Sequence, residues 1–376
     1  MLALTAVCAC AQGTDSSFGP AKFLGERSCS SSSCHGGAGN NRDQYIVWSK
    51  YDYHHARPFA TLETARAERI AGALNLGDPA RSPACTVCHA PFQTVPSGEL
   101  AEGVEITQGV SCESCHGRAE KWLRGHTRHD WSHPDRVHAG MRDLKNLYVR
   151  ANTCAACHQT LDSNIRRAGH PELIFELDGQ ALSQPRHWPT HEDKPGPQIW
   201  LVGQAAALRE MSWQLAREKT SDPDLTARWA ALVWLLQLAG QAESHLPTLE
   251  AGPMAPTSER LEAVRRWSDQ FAKATADFGW SEGLTRKSLA LLANTSDAFT
   301  DQKISNPIHA RRAERLVLAL DRLLAALGDA AASSASPRVL DRLFDDVQSL
   351  PDFDPKQFAK DVQQLRASAS GLLGSN

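Results

Sequence analysis

The sequence predicts a mainly α-helical protein in two unlike parts: an irregular region of short helices and long loops over residues 25–197, and an α-helical bundle over 198–376. Three observations predict it. All ten cysteines lie at or before Cys157, and of fifteen histidines only His245 and His309 lie beyond His191. Between Gly25 and Pro197 the chain is rich in Gly, Pro, Ser, His and Cys and sustains neither a helical nor a strand period. After Pro197, amphipathic patterns follow clear start signals.

Composition excludes several classes before any motif is read. At 376 residues the chain can bury a large core. Hydrophobic residues are 41%, charged residues 22% and mean hydropathy is -0.39, the profile of a folded chain and not of a disordered tail. The longest apolar pieces, such as Trp229 to Ala239, fall short of the roughly eighteen residues a membrane helix needs. Forty basic against forty-three acidic side chains give -3, so no cationic excess tracks a phosphate backbone and nucleic acid is not an expected partner.

Residues 1–24 read as an export leader and tether. MLALTAVCACAQ is an apolar run ending in small residues, without the positive start of a full signal. Val7-Cys8-Ala9-Cys10 resembles a lipoprotein cleavage box, so a lipidated Cys10 would attach the chain to a membrane; an ordinary cleaved signal is the alternative. Both readings imply export to the periplasm or another extracytoplasmic space.

The irregular region carries three C-x-x-C-H motifs: Cys85 to His89, Cys112 to His116 and Cys154 to His158. One more, Cys29 to His35, the first of the four in chain order, has the same logic with four residues between its thiols. The pattern is the attachment site of a c-type haem: Cys29, Cys34, Cys85, Cys88, Cys112, Cys115, Cys154 and Cys157 would form thioethers to the vinyl groups. His35, His89, His116 and His158 would then be the proximal iron ligands. Zinc binding and disulfides are other uses of paired cysteines. Neither requires a histidine after the second cysteine of all four pairs, an arrangement with chance odds of roughly one in 10⁵ to 10⁶ at this histidine content. Four haems would supply the apolar centre that a Gly- and Pro-rich chain lacks. They would also take the net charge from -3 to roughly -7, which suits a basic patch on a redox partner protein.

Eleven further histidines compete for the distal positions. His54 and His55 follow Trp48 in a short helical stretch, His126, His129, His133 and His138 cluster after the third motif, and His170 sits in Ala168-Gly169-His170-Pro171. The run from Phe23 to His55, with Cys-x₄-Cys-His, Trp48 and Tyr53-His54-His55-Ala56, followed by Gly109 to Gly117, resembles the cytochrome c-554 family of tetrahaem electron carriers. Trp122 with His126, Gly169-His170-Pro171-Glu172-Leu173, Phe175-Glu176-Leu177 and His187-Trp188 resemble its multihaem relatives, and the resemblance spans about Phe23 to Gly203. It implies closely stacked haems, mostly bis-histidine ligated, that move electrons in the periplasm, with His55, His126 and His170 as distal ligands. Where relatives often carry another histidine before Gly-His-Pro, this chain has Ser163-Asn164. His187 or His54 then takes that place, or one iron is left five-coordinate.

In the C-terminal part, Asp222-Pro223, Asn306-Pro307, Ser336-Pro337 and Asp354-Pro355 each pair an N-cap oxygen with proline at the first helical position. Leu316, Leu320, Leu323, Leu324 and Leu327 repeat on one helical face, and about six helices are expected. Trp213, Trp229, Trp234 and Trp267 are either bundle core or anchors for a partner or second subunit.

Two functions fit these residues. One is an electron carrier between partner proteins. The other is a haem oxidoreductase acting on a small nitrogen or sulfur oxyanion at a five-coordinate iron, with Arg124, Arg128, His129 and Arg136 stabilising charge. The same four side chains could equally neutralise haem propionates.

Overall fold

Helix starts in the computed structural model follow the cap chemistry of the sequence; it describes residues 21–39, 42–188, 196–218, 221–250, 252, 255–328, 337–348 and 350–369. Cys8 and Cys10, and with them the leader and its cleavage box, lie outside the described residues. The described chain is helical with no sheet; its one isolated bridge joins Phe23 and Leu100. It divides into two compact units, Met1–Leu173 with Ser183–Asp193, and Ile174–Leu182 with Lys194–Asn376.

The first unit holds α1 (Gln44–Tyr51), α2 (Tyr53–Ala56), α3 (Ala65–Ala73), α4 (Pro83–His89), α5 (Cys112–His116), α6 (His133–His138), α7 (Leu147–His158) and α8 (Ser163–Arg167). Most are too short to stand alone, so their ends are held by side chains. Thr64 caps α3 through the Ala67 amide, Ser132 and Asp135 close a reciprocal box on α6, and Asn146 accepts from Tyr148 and Val149 at the start of α7. Each such cap is worth about 1 kcal/mol. Glu113, between the cysteines of α5, is 1% exposed and accepts from the amides of Leu24, Gly25 and Ala119. That carboxylate ties the start of the described chain to the third motif, with burial raising its pKa against those three amides.

The second unit holds α9 (Leu177–Ser183, its last residue passing to the first unit), α10 (Pro197–Arg217), α11 (Pro223–Gly240), α12 (Ser258–Asp277), α13 (Glu282–Ala293), α14 (Asn306–Ala326), α15 (Pro337–Asp346) and α16 (Pro355–Ser368). Among the described residues that is seven helices after Pro197, where about six were expected. Helix α10 packs on α12 and α11, α11 on α14, α13 on α14, and α15 on α16. Both α10 and α11 bury most of their circumference, which is why their sequences carry long apolar stretches instead of a clean stripe. On the expected leucine face of α14, Leu316, Leu320, Leu323 and Leu324 are buried, while Leu327 is the C-cap residue and only partly buried.

Asp222 and Asp354 accept from amides at the starts of α11 and α16. Ser336 lies outside the described residues. At α14 the N-cap is Ser305, one residue before the expected Asn306, because the Asn306 side chain instead donates to the Phe353 carbonyl. Trp229 is buried with its indole N–H on Ser212 Oγ at 3.0 Å, and Trp267 donates to the Pro247 carbonyl at 2.8 Å. Trp213 is exposed, with Arg217 stacked on its ring.

One feature of the second unit was not expected from the sequence. Residues 174–182, within the Cys- and His-rich region, pack with the C-terminal helices: Glu176 meets Arg315, Arg322 and Gln204, and Asp178 meets Arg322.

Candidate functional site

Three motifs share one construction. Helices α4, α5 and α7 each end on the histidine of a C-x-x-C-H motif, so both thiols and the imidazole leave the final turns of one helix. The first motif has four residues between its cysteines and forms hydrogen-bonded turns instead, with the His35 amide on the Cys29 carbonyl at 3.1 Å and that of Cys34 on Ser31 at 2.9 Å. The turn closes so tightly that a Cβ on Gly36 would lie 1.9 Å from the Ser30 carbonyl oxygen. None of the eight motif cysteines is in a disulfide.

Each motif histidine faces a second imidazole. Ring centroids are 6.0 Å apart for His35 and His126, 6.3 Å for His89 and His170, 6.3 Å for His116 and His187, and 6.0 Å for His158 and His55. The corresponding interplanar angles are 30°, 78°, 81° and 70°. The eight imidazoles singled out from the sequence therefore meet as four pairs, each joining one motif histidine to one candidate distal histidine. Among the remaining candidates, His54 and His129 are exposed and His133 turns its Nε2 to Asp143 at 2.9 Å.

Hydrogen bonds orient the rings. The Nδ1 atoms of His89, His126, His170 and His187 face the backbone carbonyls of Pro58, Leu123, Pro171 and Pro185, that of His35 faces Gln44 Oε1 at 2.8 Å, and that of His55 faces the Asp52 carboxylate at 2.8 and 3.0 Å. A carbonyl or carboxylate oxygen can only accept, so in these six rings Nδ1 carries a proton and Nε2 is the nitrogen left to face a metal. Burial pushes the His116 imidazole down to about 4 and also lowers His89, His126, His158 and His187, which keeps these rings neutral near pH 7. Burial alone would raise the Asp52 carboxyl; its bonds to His55 and Gln184 outweigh this and hold it below the usual range.

The helix bearing His55 is fixed to the third motif by backbone. Val110 donates to the His55 carbonyl at 2.8 Å, and the Trp48 indole donates to the Val110 carbonyl at 3.0 Å. Between them Gly109 has φ +77, and a Cβ there would sit 2.7 Å from the same His55 oxygen, so this approach needs glycine. Trp122 and Trp188 lie edge-on to His126 and His187, and their indole N–H groups are buried without a hydrogen-bond partner among the described residues.

The thiols give the motifs a spatial order. Cys29 of the first contacts Cys112 of the third, Cys115 of the third lies near Cys154 and Cys157 of the fourth, and Cys157 contacts Cys88 of the second.

Residues 28–117 match the family model for cytochrome c554 and c-prime. The cytochrome c554 match holds three of the four motifs, with Trp48 and His55, and makes this segment that of a multihaem c-type cytochrome. It is shorter than the resemblance read from the motifs, leaving the fourth motif and His126, His170 and His187 beyond it. No curated protein and no solved structure matches the chain. Cytochromes of the c type are extracytoplasmic, and among the described residues no helix is long and apolar enough to cross a membrane.

Sequence reading missed Asp52, Gln44 and Glu113. Only Asp52, three residues before a candidate ligand, carried a local signal: on a short helix that spacing brings a carboxylate back to the ring.

Proposed function

We propose that this chain is a periplasmic electron carrier with four covalently attached haems, each iron held between a motif histidine and a distal histidine. The four facing imidazole pairs carry this reading. A metal–imidazole bond of about 2.0–2.1 Å plus about 1.1 Å from nitrogen to ring centre, doubled, gives about 6.2–6.4 Å between centroids. The pairs stand 6.0–6.3 Å apart. A haem held in this way would supply a one-electron ferric–ferrous couple.

The chain's own residues supply the rest. His35/His126, His89/His170, His116/His187 and His158/His55 present facing imidazoles, and the Nδ1 acceptors of six of them leave Nε2 for a metal. Each cysteine pair would hold a haem through thioethers beside its histidine. The indole N–H groups of Trp122 and Trp188, which would cost about 1–3 kcal/mol each if left buried and unpaired, fit carboxylate acceptors such as haem propionates. The thiol contacts favour the order first, third, fourth, second motif for the passage of electrons between an external donor and acceptor.

The oxidoreductase reading needs an iron with one open side. Each motif histidine instead faces a second imidazole, and Arg128, one of the candidate charge-stabilising groups, is taken up by Asp130. Mass spectrometry of the exported protein is expected to give the polypeptide plus four haems, and a reductive titration the reversible uptake of four electrons without consumption of nitrite or hydroxylamine. A mass with three haems would point to the Cys29 to Cys34 loop as the site that fails to load. Turnover of either compound would move the protein to the oxidoreductase class.

A further inference from the structure

Asp52 differs in kind from the described groups that orient the other paired imidazoles. It is 3% exposed, and both its oxygens lie within 3.0 Å of His55 Nδ1. Its other donors are the His55 backbone amide at 3.3 Å and Gln184 Nε2 at 3.2 Å. None of these is a fixed cation, so the negative charge is shared mainly with the imidazole. The acceptors on His35, His89, His126, His170 and His187 are neutral amide, carbonyl or hydroxyl oxygens. Of the six paired imidazoles whose Nδ1 acceptor is described, His55 alone faces a carboxylate.

Two effects of that carboxylate act in the same direction. An anionic acceptor draws the Nδ1 proton and makes Nε2 a stronger donor to a metal, which favours ferric over ferrous iron. A buried negative charge close to the centre also opposes the arrival of an electron, and low surrounding polarity strengthens that repulsion. Neither effect needs Asp52 to gain or lose a proton.

We propose that Asp52 makes the centre held by His55 and His158 the one with the lowest reduction potential of the four. This rests on the reading of that pair as axial ligands. The centre takes one electron, ferric to ferrous, from an external one-electron reductant or a neighbouring centre, and returns it unchanged in stoichiometry; Asp52 keeps its charge throughout. In the order given by the thiols this centre is interior, between the third and second motifs. Electrons entering a partly reduced molecule therefore settle on either side of it before they occupy it.

The test is a dithionite titration of the loaded, full-length protein, followed by visible absorbance and by the ferric electron-spin resonance signals. In the unaltered protein the last ferric signal to disappear is expected to be the one that His55→Met changes. Asp52→Asn keeps an acceptor oxygen and the side-chain volume but removes the charge. It is expected to move that one potential upward, leave the other three in place and keep the centre low-spin, while Asp52→Glu retains the low potential. An Asn variant that leaves the lowest potential unmoved, or shifts all four alike, overturns the proposal. So does an unaltered protein whose last signal to vanish is one that His55→Met does not touch, a result that stands even if Asp52→Asn fails to fold. If His55→Met changes none of the four signals, the ligand reading itself fails and takes the tuning with it.

Discussion

A histidine becomes a ligand by where its Nε2 points, and at the residue scale that separates neighbours as close as His54 and His55. The His55 Nδ1 is fixed on Asp52 and its ring faces His158, whereas His54 is exposed. Adjacent residues on a helix project about 100° apart, so the two cannot serve the same iron. His55→Ala is expected to convert one centre to high spin or to a substitute ligand, and His54→Ala to leave the visible and spin-resonance spectra unchanged. The reverse pattern would put the register off by one. The motif histidines were singled out by spacing and His55, His126 and His170 by the family resemblance, while His187 was one of two candidates for the remaining place; the structure sets these eight rings in four facing pairs. Their pairing was not legible, because it depends on contacts such as that between His116 and His187, 71 positions apart. The buried Glu113 was hidden for a related reason: its partners Leu24 and Gly25 come from a segment with no pattern of its own.

Many helices in this chain start where a short polar side chain accepts backbone amides, and the C-terminal starts were read correctly at Asp222 and Asp354 for that reason. The miss at α14 followed from a competing use: Asn306 spends its amide on Phe353, so Ser305 takes the cap position. Charge at element ends also makes a prediction. Near the end of α15, burial together with Asp361, Asp345 and Asp354 raises the Asp346 carboxyl to about 6. The folded chain thus holds a proton up to about pH 6 that the unfolded chain releases near its ordinary value of 3.8. Stability contributed at this position therefore falls as pH rises across that window. Asp346→Asn is expected to raise the thermal midpoint at pH 7.5, and the gain should disappear by about pH 4, below the ordinary carboxyl range. An equal gain at both pH values would mean that the side chain's packing, and not its charge, sets the effect.

At the scale of the whole molecule, the chain forms two compact units, and cysteine and histidine thin out close to where the second begins. The exception is residues 174–182, whose acidic side chains give no sign in sequence that they pack with α14. Removing them would leave Arg315 buried without Glu176, and an orphaned buried charge costs about 3–5 kcal/mol. A fragment beginning at Ile174 is therefore expected to be helical, colourless and clearly more resistant to urea than one beginning at Lys194; equal stability would show that the ion pairs contribute nothing. The four imidazole pairs provide the most direct test of the central claim, through the ferric electron-spin resonance spectrum of the loaded protein. Perpendicular axial rings make two iron d orbitals nearly equal in energy and give highly axial low-spin signals, while nearly parallel rings split them and give a rhombic one. With ring angles of 70°, 78° and 81° at three pairs and 30° at the fourth, the account predicts three highly axial low-spin signals, one rhombic low-spin signal from His35 and His126, and no high-spin iron. A high-spin signal integrating to one iron per chain would contradict it, since one of the four imidazole pairs would then hold no metal between its rings.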